Sequence, residues 1–168
     1  LPGIFPAGDG YGMLNAGHLY DINCLKDEDL TRAMIQGRKL AQEYMTFYRE
    51  YVGGCEAIAH MATAPLLGVR ETRRIVGEYV LNVDDFVARR SFDDEIGRHN
   101  YSIDIHRSSP SREDYEALIE EFTEGYRLGP GESYGIPYRS LVPMEVDNLL
   151  VAGRCISTDR MVQGSIRV

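Results

Sequence analysis

The stretch DEDLTRAMIQGRKLAQEYMTFYREYV, residues 27–52, decides the first element of the fold. Leu30, Met34, Ala41, Tyr44, Met45, Tyr48 and Val52 recur at spacings of three, four or seven, so a helix gathers them into one apolar stripe. Asp27, Glu28 and Asp29 put negative charge at the end where a helix leaves amides unpaired, and Gly53-Gly54 stops the pattern. The spacing predicts one long amphipathic helix near 27–52, packed by a single face. Tyr44, Tyr48 and Tyr51 read as packing residues of that face or its rim.

On the N-terminal side, residues 1–25 are rich in glycine with two prolines and read as loop with short strands. GDGYG, 8–12, lacks the strand–turn–helix setting of a dinucleotide fingerprint and reads as a turn. On the C-terminal side, the small apolar run 57–67 predicts a strand ending near Pro65. GVRETRRIVGEYVL, 68–81, reads as a turn and then a strand over 75–81, and Asn82 caps the first of two short helical pieces within 82–98. YSIDIH, 101–106, alternates, which puts Tyr101, Ile103 and Ile105 on one strand face and Ser102, Asp104 and His106 on the other. Ser111, Asp114 and Gly125 mark the start, capping partner and stop of a further helix. Residues 126–143 form a Gly/Pro-rich turn between extended segments, and 149–152 reads as a buried strand. Strands and helices mix without a βαβ rhythm, so the expected class is α+β, a mixed sheet with flanking helices.

Composition bounds function. At 168 residues the chain suffices for an ordinary core, and no window approaches the ~18 apolar residues of a membrane helix. The net charge of −8 argues against general nucleic-acid binding, which needs a basic face, but permits a local basic pocket. Cys24, Cys55 and Cys155 are odd in number and widely spaced, which favours free thiols in a reducing, cytoplasmic setting. The histidines form no ligand pair, so no metal site is expected. The chain opens on Leu1 and closes inside an element, which suggests a piece of a longer polypeptide.

The candidate chemical groups are few. Arg70, Arg73 and Arg74 offer planar forks for carboxylate or phosphate, against the simpler reading that Glu71, Glu78 or other acids pair with them. Asp104 and His106 share a strand face, where a carboxylate orients an imidazole for acid–base work or both merely face water. Cys155 beside Arg154 reads as a small core residue, and Asp84-Asp85 and Asp93-Asp94 as helix-start acids. The terminal order is more pointed. An apolar strand delivers Gly153, Arg154 follows with its fork, and QGSIRV, 163–168, looks like the turn before a helix whose amides favour an anion.

GVRETRRIVGEYVL, IPYRSLVP, VDNLLVAGRCIS and QGSIRV, in this order, resemble bacterial FAD-dependent oxidoreductases of the glutathione-reductase-like flavoprotein superfamily. DLTRAMIQGRKLA resembles the helix that precedes the family's arginine motif, while 107–124 looks longer than the family's loop. The resemblance implies a substrate (cap) domain over 1–143 and the re-entry segment of an incomplete FAD-binding domain over 144–168. It further implies an N-terminal GxGxxG unit upstream as partner domain and a small-molecule substrate. Gly153, Arg154, Gln163, Gly164, Ser165, Ile166 and Arg167 would then line the flavin. Relatives often carry an acid that accepts a ribityl hydroxyl where this chain has Arg154, a pure donor suited to a phosphate or flavin carbonyl. Arg70, Arg73 and Arg74, and more weakly Tyr138, Arg139 and His106, become candidates for the substrate cleft, with FAD itself held weakly if at all by this chain alone. Two rivals stand beside this reading: an anion-binding module built on Arg70, Arg73 and Arg74, and a structural or oligomerisation domain.

Overall fold

A computed structural model describes residues 3–106, 109–121 and 124–168. The chain divides into two compact units, Leu1–Gly68 and Val69–Val168. The expected α+β class is what forms, with four α-helices and two small antiparallel ladders among the described residues.

In the first unit, β1 (Ile4–Gly8) pairs antiparallel with β2 (Tyr11–Leu14) across the Asp9-Gly10 turn predicted from GDGYG. Gly8 and Gly10 hold positive φ there, which glycine adopts without the penalty a Cβ brings. The helix read from periodicity is α1 (Asp27–Tyr51), with its three acids in the first turn. Every residue of the predicted stripe is buried or half-buried, Tyr48 most of all, and Ala33, outside the predicted stripe, is buried beside it. Gly54, φ +86, follows its end. The strand expected over 57–67 does not form. That run is turns and exposed coil, because small apolar residues with no neighbouring backbone to pair with gain little from extension.

The second unit packs around Leu81, Phe86, Ile103, Tyr134 and Val162. Asn82 caps α2 (Val83–Val87) through a reciprocal box. Its side chain accepts from the amides of Asp84 and Asp85, and the Asp85 carboxylate accepts from the Asn82 amide. The second helical piece expected within 82–98 is instead β3 (Glu95–His99), antiparallel to β4 (Tyr134–Pro137). Asp93-Asp94 therefore precede a strand. Asp94 is claimed by Arg139, whose Nε donates at 2.9 Å and holds that carboxyl below the ordinary range. Ser111 precedes α3 (Arg112–Glu121) as read, followed by a 3₁₀ turn at Glu124–Tyr126 around Gly125. Residues 107, 108, 122 and 123, and the side chain of the expected capping partner Asp114, lie outside the described residues.

Three further segments expected as strands form no ladder. Residues 75–81 run extended but make only isolated bridges, Gly77 with Pro143 antiparallel and Leu81 with Thr158 parallel. Their amides and carbonyls are shared between two flanks: Ile75 and Leu81 donate to Cys155 and Ser157, while Glu78 and Tyr79 donate to Val142 and Arg139. Residues 149–152 form no strand. Leu149 and Leu150 are exposed, Asn148 is left-handed at φ 57, and only the Val151 amide reaches a neighbour, the Leu141 carbonyl at 2.9 Å. Residues 101–106 are likewise extended without a ladder, held by the Ile103 amide on the Tyr126 carbonyl. In each case the apolar pattern states a need for burial, whereas a ladder also needs a second backbone in register.

Candidate functional site

The last helix starts earlier than QGSIRV suggests. It is α4 (Arg160–Ile166), opened by Asp159, whose Oδ1 accepts the Val162 amide at 2.7 Å. Its other oxygen accepts the Val83 amide at 2.7 Å, so one carboxylate caps two helices. Gln163, Gly164 and Ser165 are therefore interior residues of α4, all buried.

Each has a structural engagement. Gln163 donates to the Arg154 carbonyl at 2.7 Å and accepts from the Thr158 hydroxyl at 2.9 Å. The Ser165 hydroxyl donates to the Tyr101 carbonyl at 2.5 Å and so accepts the Tyr134 hydroxyl at 2.7 Å. Burial pushes the Tyr134 phenol up to about 12. At Gly164 a Cβ would stand 2.8 Å from Ile105 and 3.0 Å from the Asp104 carbonyl oxygen. Glycine is thus what lets α4 lie on the 104–105 backbone. Ile166 packs at the edge of the core.

That close approach places the next residue of the series. Arg167 reaches Asp104, with Nη2 donating to its carbonyl at 2.8 Å and to its carboxylate at 3.0 Å. The same carboxylate meets Arg70 at 3.4 Å and His106 at 3.3 Å. Asp104 and His106 do sit together, as their alternation implied, and are joined by one residue of the arginine motif and one of the terminal segment. Sequence reading gave Asp104 no third partner. No local signal could have supplied one, because Arg70 lies 34 positions upstream and Arg167 63 positions downstream.

The arginine motif separates. Arg70 joins Asp104, Arg74 pairs with Glu71 one helical turn's distance away in sequence, and Arg73 is exposed with no ion pair among the described residues. The simpler reading thus holds for Arg74 by way of Glu71. Tyr138 is exposed, and Arg139 is spent on Asp94 and on the Tyr79 ring, 5.1 Å from its centroid. Neither is near a partner from the Asp104 cluster in any described bond.

Gly153 is exposed at φ +96, and a Cβ there would meet nothing. Its glycine answers to backbone conformation, whereas that of Gly164 answers to crowding. Arg154, also exposed, donates through Nη1 to the Val69 carbonyl, the group bonded to the Arg70 amide nitrogen. The terminal turn and the arginine motif are thereby in contact. Cys155 is half-buried, its thiol near the Ala152 carbonyl. Among the described residues no His, Cys, Asp or Glu side chains gather as a metal site, and no helix is long and apolar enough to cross a membrane.

Fold and geometry together define an α+β protein with a cation-rich cluster reached by solvent and linked to a glycine–arginine turn. The chain belongs to the FAD dependent oxidoreductase family, whose model matches residues 9–168. Flavin-linked oxidation and reduction is the general chemistry of that family, and FAD its cofactor. Comparison with curated proteins and with solved structures returns no match.

Proposed function

We propose that this chain is the substrate domain, 1–143, and the FAD-domain re-entry segment, 144–168, of an oxidoreductase that moves hydride or electrons between an organic substrate and flavin. The 143/144 boundary lies within the second compact unit. The observation that carries the reading is the Gly153–Arg154 turn. It is exposed, backbone-open, and bonded to the residue preceding Arg70, so a ligand along it would meet both motifs.

The residues fit a flavin in part. Gly153 offers open backbone, and Arg154 has guanidinium donors beyond the one given to Val69. Gln163 and Ser165 turn their side chains into the fold and are satisfied there, and Asp159 already fills the start of α4. Arg154 would take the flavin's phosphate or a ring carbonyl, Gly153 would let the ligand lie close, and the arginines at 70 and 73 would face an anionic substrate. Bound flavin would supply the acceptance and release of electrons. The chain's part is placement and charge, and no residue stands out as a proton donor to substrate.

The sequence contains no strand–GxGxxG–helix unit, and two residues hold little of a flavin's surface. Titration of FAD into the 168-residue chain, followed by flavin fluorescence, is expected to show no saturation in the micromolar range, while the protein with its upstream region purifies yellow. Micromolar binding by the chain alone would overturn its inertness, and a colourless full-length protein would overturn the flavin assignment.

A further inference from the structure

The ion pairs of this protein follow a one-to-one rule with a single exception among the described residues. Arg89 meets Glu132, Arg98 meets Glu95 and Arg139 meets Asp94, each a cation with its own carboxylate. Asp104 instead serves Arg70, Arg167 and His106 at once. One negative charge against two guanidiniums leaves a surplus of one positive charge, and of two when the imidazole is protonated. In a chain of net charge −8 that surplus is concentrated at one spot.

We propose that the Asp104 cluster is a phosphate-binding site, in which Arg70 and Arg167 grip the anion and Asp104 holds them in position beforehand. Three observations carry it. Arg167 is 11% exposed and fixed by two bonds to residue 104, so its fork is ordered before any ligand arrives. Arg70, His106 and Asp104 keep 35–39% of their side-chain surface, which leaves an approach from solvent. The contacts to Asp104 use one terminal nitrogen of each guanidinium, Nη1 of Arg70 and Nη2 of Arg167, and a fork so engaged has donors left for a second oxyanion. Arg154, bonded to the carbonyl that precedes Arg70, adds a further cation on the same segment.

Phosphate suits this arrangement better than a single carboxylate. Its charge of one to two matches the surplus, and its several oxygens suit two forks from different segments. The competing explanation is a tether, in which the cluster only ties the chain's last turn to residues 101–106. The two explanations differ in what phosphate does.

Calorimetric titration of the full 168-residue chain with inorganic phosphate, at low ionic strength, is expected to give one saturable site. Arg70→Gln and Arg167→Gln should each weaken it by at least about tenfold. Arg112→Gln, at an exposed helix pair with Glu116, should leave it unchanged. Asp104→Asn is the second measurement. With the carboxylate gone the guanidiniums repel, and added phosphate is expected to restore part of the lost melting temperature, more than it raises that of the wild type. Absence of saturable binding, binding by Arg70→Gln and Arg167→Gln as tight as that of the wild type, or an Asp104→Asn deficit indifferent to phosphate would each overturn the site in favour of the tether. The source of the phosphate is settled by titrating FAD in parallel. In the protein with its upstream region, phosphate binding lost when FAD is bound identifies the flavin's diphosphate, and phosphate binding untouched by bound FAD identifies a phosphorylated substrate. The site stands apart from the flavin assignment: phosphate can bind a protein that purifies colourless, and a yellow protein can fail to bind phosphate.

Discussion

Helices α1 and α4 hide apolar surface by opposite means. The first spans Asp27–Tyr51 and commits one stripe, leaving the rest of its circumference exposed and largely polar, with Ile35, Phe47 and Tyr51 as apolar exceptions. The second spans only Arg160–Ile166, and its consecutive residues Val162, Gln163, Gly164 and Ser165 are all buried. A long amphipathic helix carries its own instructions, because its period specifies which face goes inward. A helix of about two turns has too few residues for a stripe and too few internal bonds to stand alone, so its neighbours define it.

Glycine makes the contrast testable, since each helix has one in its interior. Gly164→Val is expected to have the largest effect. Its side chain would enter the backbone of residue 104 and the side chain of Ile105, costing about 3 kcal/mol and loosening Arg167 from Asp104. Amide exchange at 101–106 and 160–166 reads it directly, and unchanged protection there would show that α4 does not depend on close approach.

Ionisation of Tyr134 comes next. Its phenol titrates at about 12 in the fold and near 10 when exposed, so the folded state keeps its proton longer. That contribution is fully present below pH 10 and is lost as the pH rises to 12, with stability falling on the order of 1 kcal/mol per pH unit across the window. Urea midpoints from pH 9 to 12 should show this slope, and Tyr134→Phe should flatten it.

The smallest expected effect has the opposite sign. At Gly37 of α1 a Cβ would lie 3.6 Å from Leu19, an ordinary contact, so Gly37→Ala should stabilise by about 0.5–1 kcal/mol. A destabilised Gly37→Ala in thermal melts would mean that α1 too is governed by close neighbours.

Legibility of the sequence follows the same division. The long helix, the Asn82 cap, the 9–10 turn and the start of α3 were readable because each is specified within a few residues. Runs 57–67, 75–81 and 149–152 look like regular strands in sequence because an apolar run reports a need for burial and not the presence of a partner in register. The site was readable in part for that reason. Asp104 and His106 are two residues apart and their alternation pairs them, but Arg70 and Arg167 arrive only through tertiary packing. Buried polar residues such as Gln163 and Ser165 look in sequence like ligand-facing groups, and only their bonds to Arg154, Thr158, Tyr101 and Tyr134 show how they are used in this fold.

The double cap at Asp159 has a consequence for how the chain is made. The first amide of α2, at Val83, finds its acceptor 76 residues downstream. During synthesis α2 emerges with Asn82 in place but that amide still open to water. It is completed only when α4 begins. Closing so long a loop is slow, and the order of assembly is therefore written into a single carboxylate: the middle of this unit is finished by its end.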